Sequence, residues 1–238
     1  MSTRNLLYKR AFPINDKIEV VIPSVGEILD SEDEYYRNVT ALTAMPIDMM
    51  VQLADSNIDF TKINEFDLFL LLLPSLQETD LSLIFGNLCL KDFVITKNEQ
   101  NGLWVARDFK KGITIDSLIH AHIAAVLRKI HHLEKNRRKP GNEEAKEYMI
   151  ERERKKLNRR KNRQQDSELE SLIIAMVNTE QYKYDFETTK ELSIYQFNES
   201  VRQIIKKVDY MNRMHGVYSG TISVNDLSRD DLNWLIHK

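Results

Sequence analysis

Glycine is scarce in this chain: seven residues, no two closer than four positions. Folds that cradle phosphates cluster their glycines so that the backbone can approach the ligand, and their absence counts against a nucleotide-binding enzyme. The one cysteine, Cys89, lies between Leu88 and Leu90. A single cysteine closes no internal disulfide. Its apolar neighbours predict a small buried residue, and no adjacent base marks it as a catalytic thiol. Long apolar runs are missing too. The most apolar one, Leu68 to Leu73, ends at Pro74, far short of the roughly 20 residues that span a bilayer. Met1 to Phe12 carries charges and lacks the apolar centre of a signal peptide. These absences predict a cytoplasmic protein with no membrane association. GxSxG, Walker A and HExxH signatures are all lacking, so neither an enzymatic activity nor a cofactor is expected.

What remains is a chain of 238 residues, long enough for one large domain or two small ones without disulfide or metal support. Its wealth of Lys, Glu, Leu and Ile favours helix. The formal charge of −2 hides an asymmetry. Residues 1–110 hold 10 Lys/Arg against 17 Asp/Glu, a net of −7, and the remainder 24 against 19, a net of +5.

Lys17 to Ile22 is rich in β-branched residues and reads as a strand ending at Pro23. Ser24 with Glu27, and Ser31 with Glu34, have capping-box spacing. A helix over about Asp33 to Ala44 should follow, with Tyr36, Val39 and Leu42 on one face. Pro46 opens another, carrying Met49, Met50 and Leu53. Asn64 caps the apolar helix that ends near Pro74, and Thr79 caps a short one ending at Gly86. Lys91–Lys97 and Leu103–Phe109 flank an Asn-Gly turn, which predicts a hairpin joining the first strand in a small sheet. From Asp116 on, Ile119, Ile123, Val126, Ile130 and Leu133 mark an amphipathic helix. Arg138 to Asn142 is a turn by composition. Asn142 caps a long basic helix, reaching about Arg163, with acidic Glu143 and Glu144 in its first turn. Leu169 to Met176 follows, then the clearest element, Phe197 to Met214, with Gly216 as a left-handed stop. Ser228 caps a last short helix with Leu232, Trp234 and Leu235.

The expected fold class is mainly α, with an N-terminal α/β region over 1–113 containing a small antiparallel sheet or hairpin. An all-helical region over 114–238 follows, with the long basic helix inside it.

That helix places eight cations in twelve positions: Arg152, Arg154, Lys155, Lys156, Arg159, Arg160, Lys161 and Arg163. Three readings stay open. The first is a solvated face, partly neutralised by Glu147, Glu151 and Glu153 through four-residue pairs. The second is docking to an acidic protein surface. The third is binding along a nucleic-acid backbone, which would weaken steeply with salt, although stacking aromatics are nearly absent from the segment. Arg152, Lys156, Arg159, Arg160 and Arg163 are the candidate partner contacts. His120, His122, His131 and His132 lack the four-residue spacing of helical zinc ligands, so no metal is expected. Asp185, Glu187 and Lys190 faintly echo a metal-dependent nuclease cluster, in a poor strand context. Tyr182, Tyr184, Phe186, Tyr195 and Phe197 fit a core seam between helices better than a recognition surface.

The C-terminal part resembles proteins of tailed bacteriophages that infect Gram-positive bacteria, met in their virion-assembly gene clusters. The resemblance covers about 140–235 and is carried by YQFNESVRQI (Tyr195 to Ile204), GVYSGT (Gly216 to Thr221) and LNWL (Leu232 to Leu235). VIPSVGEI and the stretch from Met45 to Leu73 are similar in layout to baseplate-hub assembly chaperones of contractile-tailed phages. Neither resemblance brings catalytic residues. Together they imply a non-enzymatic morphogenesis protein, either a tail or baseplate chaperone or a minor virion component. Its partners would be tail or baseplate proteins, and it would act in the host cytoplasm or within the virion. The alternative from the residues alone is a nucleic-acid-binding protein that uses helix 152–163.

Overall fold

The computed structural model describes residues 4–99, 101–161 and 167–235. The described chain begins with α1 (Arg4–Tyr8), β1 (Ala11–Pro13), β2 (Glu19–Val21), α2 (Val25–Leu29) and α3 (Glu32–Thr43). A 3-10 turn over Pro46–Met49 leads into α4 (Met50–Asp55), followed by α5 (Glu65–Gln77) and α6 (Ser82–Phe85). A meander of β3 (Val94–Lys97), β4 (Trp104–Asp108) and β5 (Ile113–Ile115) closes this half. Beyond it come α7 (Ser117–Ile130), α8 (Glu143–Lys161), α9 (Glu168–Val177), α10 (Phe186–Glu191) and α11 (Ile194–Tyr218). The fold is mainly helical, with two small antiparallel sheets in its N-terminal half.

Local signals set several of these elements. Ser24 accepts from the Glu27 amide while the Glu27 carboxylate accepts from the Ser24 amide, a complete capping box. That amide bond holds the Glu27 carboxyl below its ordinary range. Asn64 and Asp67 do the same for α5, Asp116 caps α7, and Ser193 with Gln196 caps α11.

Other signals are overridden by tertiary contacts. Ser31 makes no side-chain cap, because Glu34 turns away to accept from the Asp80 amide at 3.1 Å. Helix α5 does not stop at Pro74 but runs through it to Gln77, burying Leu73 and Leu76. Thr79 donates back to the Leu76 carbonyl and caps nothing downstream. The hairpin is present, with Lys97 opposite Trp104, but its third strand is β5, while β2 pairs with β1 in a separate sheet. Gly216 lies inside α11, where its bare Cα lets Ile222 approach: a Cβ there would stand 2.6 Å from Ile222 Cδ1. The left-handed residue after the helix is Gly220, at φ +76°. Ser228 binds the side chain and amide of Asp231 in a turn, not a helix.

One apolar cluster gathers β2, α2, α3, α5, α7, α9 and α11 around Val20, Ile28, Phe69, Val126, Ile173 and Phe197. A backbone clasp ties the segment after β2 to the start of α11 across it. The Val25 amide donates to Leu192 O at 2.9 Å and the Ile194 amide to Pro23 O at 2.8 Å. A second cluster, built on Ile47, Met50, Val51, Leu53, Phe60 and Leu68, takes Met149, Ile150 and Leu157 of α8 as its outer wall. Among the described residues, no helix is long and apolar enough to cross a membrane.

Candidate functional site: the cationic face of α8

Helix α8 starts where Asn142 Oδ1 accepts from the Ala145 amide at 2.8 Å. Its apolar residues are few, and only Met149, Ile150 and Leu157 reach the second cluster. Partial burial of three such side chains contributes on the order of 3 kcal/mol, so polar anchors matter. Lys146 meets Asp59 at 3.1 Å and Glu143 at 2.5 Å. Arg154 meets Asp55 at 2.6 Å. Asp59 is itself held by the Thr61 hydroxyl and amide, and these bonds together with Lys146 keep its carboxyl far below the usual carboxylate range. Thus α4 and the loop after it seize one side of α8.

At 3.6 residues per turn, Arg152, Lys155 and Arg159 fall on the opposite side, with Lys156 on its flank. All four are exposed, as is Tyr148 beside them. Lys155 is paired with Glu151 at 2.6 Å, which holds that carboxyl below its ordinary value. Lys156 is paired with Glu153 at 2.8 Å. Arg152 and Arg159 have no acidic partner among the described residues. Of the five candidate contacts, the structure therefore brings Arg152, Lys156 and Arg159 onto the outer side of one anchored helix. Arg163 and the side chain of Arg160 lie outside the described residues.

Just before α8, Arg138 to Asn142 reads in the sequence as a turn. Arg137, Arg138 and Lys139 line a cleft of about 430 Å³ floored by Met45, Ile47, Phe60 and Ile63. Three consecutive cations were the available signal, and what lay beneath them was not legible.

His120, His122, His131 and His132 pack against aromatic rings. His120 stacks on Phe69 at 4.5 Å, and burial pushes its pKa down to about 4. His131, bonded to the Tyr35 hydroxyl at 2.9 Å, is likewise lowered by burial to about 4. His122 lies edge-on to Phe12 and His132 stacks near Tyr195. Among the described residues, no group of three or more His, Cys, Asp or Glu is placed to hold a metal ion. Asp185 caps α10 through Thr188, and Lys190 pairs with Glu187 at 3.2 Å, so that trio does local structural work. Tyr182, Tyr195 and Phe197 are buried, whereas Tyr184 and Phe186 are exposed, so the aromatic seam is only partly internal. Cys89 is exposed rather than buried, because Leu88 and Leu90 on either side take the inward positions.

A family model described as the YomV second domain matches residues 160–237, about a third of the chain. The family is phage-associated, and the match fits a phage protein. No curated protein and no solved structure matches the chain. The matched stretch takes in α9, α10, α11 and the segment that follows, and meets α8 only at its end.

Proposed function

We propose that this phage-related protein is a non-enzymatic morphogenesis factor, a tail or baseplate assembly chaperone or minor virion component, that binds other proteins through the outer face of α8. The observation that carries this reading is the division of α8 into two sides. One is fixed on α4 and the loop after it by apolar contacts and by Lys146 and Arg154, and the other presents Arg152 and Arg159, which have no acidic partner among the described residues. A rigidly held cationic face speeds encounter with an acidic partner and sets its register, more than it raises affinity. The presence of Tyr148 as the face's lone aromatic favours an acidic protein surface over a single-stranded nucleic acid, which binds through stacking platforms. Its place would be the host cytoplasm or the assembled particle.

Nucleic acid is the second reading, favoured by those same two outward-facing arginines. The two are separated by comparing the protein with its Arg152→Glu/Lys156→Glu/Arg159→Glu variant. Both are tagged and recovered from phage-infected host cells, with and without nuclease. The proposal expects stoichiometric tail or baseplate proteins that survive nuclease and are lost in the variant, with helicity unchanged. Recovery of nucleic acid alone, released by moderate salt, favours the second reading. Undiminished capture of the same proteins by the variant rejects α8 as the contact.

A further inference from the structure

Helix α11 carries a seam longer than the body of the protein uses. Ile194, Phe197, Val201, Ile204, Val208, Met211, His215 and Tyr218 recur at alternating intervals of three and four, the a and d positions of a heptad repeat. Ile194, Phe197 and Val201 are buried in the main core. From Ile204 onward the same line runs out into solvent. Ile204 and Val208 are half-buried, Met211 is 51% exposed and Tyr218 85% exposed. Ile205, next to the seam, is 61% exposed.

Among the described residues, the C-terminal segment does not cover this line. Residues 219–235 return along the far side of the helix. Lys206 Nζ donates to Asp230 O at 2.7 Å, Gln203 Nε2 to Trp234 O at 2.7 Å, Arg213 pairs with Asp231, and Ile222 sits against Gly216. At about 100° per residue, Lys206 and Arg213 lie across the helix from Ile204, Val208, Met211 and Tyr218, and Gly216 lies on its flank. The charged residues of this half, Lys206, Lys207, Asp209 and Arg213, all lie off the seam.

We infer that the outer half of the α11 seam pairs with the same seam of a second copy of this chain. A line of a and d side chains is complementary to itself, since each knob meets a hole formed by its own residue types. Its open part, from Ile204 to Tyr218, runs for about 21 Å. Covering it, with Ile205, in two copies removes on the order of 1,000 Å² from water, the lower limit for a specific interface. The dimer is therefore expected to dissociate on dilution. The seam is also continuous with the core through Val201, so the paired helices are held rigidly by each body.

Analytical ultracentrifugation of the full chain over a concentration series tests this. The wild type should approach twice the chain mass at high concentration. Met211→Glu should stay at the single mass with unchanged helicity, since Met211 is already half exposed. In Cys89→Ser/Met211→Cys, oxidation should join two chains through residue 211. A wild type that stays monomeric at the highest concentration overturns the proposal, as does a Met211→Glu dimer of undiminished strength. The α8 charge reversals should leave the association unchanged, which keeps this result separate from the partner capture proposed above.

Discussion

Removing the Glu65 carboxylate should destabilise the protein more than any surface charge it carries. Glu65, in the first turn of α5, accepts from Arg128 at the end of α7 and from Lys135 just beyond it, each at 2.5 Å. Arg128 also donates to the Thr43 carbonyl at the end of α3. The Glu65 and Arg128 side chains are each 11% exposed. In Glu65→Ala the guanidinium stays buried with its charge unmatched, which costs about 3–5 kcal/mol. The surviving bond to Thr43 argues for the lower end, about 3 kcal/mol. Lys135, more than a third exposed, adds well under about 1 kcal/mol. For a chain of this size each kcal/mol moves Tm by about 2–4 °C, so a drop of about 6–12 °C is expected. The apolar pair Glu65→Leu/Arg128→Met should recover most of the loss, because neither charge then needs burying. Urea unfolding followed by circular dichroism measures all three proteins. A Glu65→Ala loss below about 1 kcal/mol, or a double variant no better than the single one, refutes the reasoning. The pH sign follows from Glu65 itself. Burial raises its pKa, but the bonds from Lys135 and Arg128 outweigh that and leave it below its ordinary 4.5. Its contribution is therefore complete above that ordinary value and disappears as pH falls through the lower folded value.

Pro74→Ala should stabilise the protein by about 1–3 kcal/mol, since it restores an amide donor inside α5 at an exposed position. A melting temperature at or below that of the wild type would show that the proline ring is needed there. His120→Leu should flatten the acid side of the stability profile. The unfolded histidine takes a proton near 6.5 and the folded one only near 4, so stability drains away as pH falls between those values. With His131 shifted in the same direction, about half of the loss should remain. Urea midpoints at about pH 7 and about pH 4.5 test this, and an unchanged difference between them would clear His120 of the effect.

The elements that could be read in the sequence are those fixed by neighbours within a turn or two. The Ser24, Asn64 and Asn142 caps, the periodicity of α7 and α11, and the hairpin around Gly102 are all of this kind. Failures came where a distant group won. Glu34 could not be known to serve Asp80, nor Gly216 to be bare because Ile222 lies against it. Strands β1 and β5, of three residues each, are too short to show alternation and exist through their pairing. The cations of α8 were plain in the sequence. Which of them face outward depends on Asp55 and Asp59, about ninety residues away, and no periodicity encodes that choice.

Gly216 also sets how far the protein can reach. Residues 219–235 lie back on α11 because no side chain at that position holds Ile222 off. If they let go, these seventeen residues could extend by about 55–60 Å, trailing Val224, Leu232, Trp234 and Leu235, which are already partly exposed. The same stretch would then act as a line cast from the end of a stiff rod, and a single methyl group at 216 would favour the cast form over the stowed one.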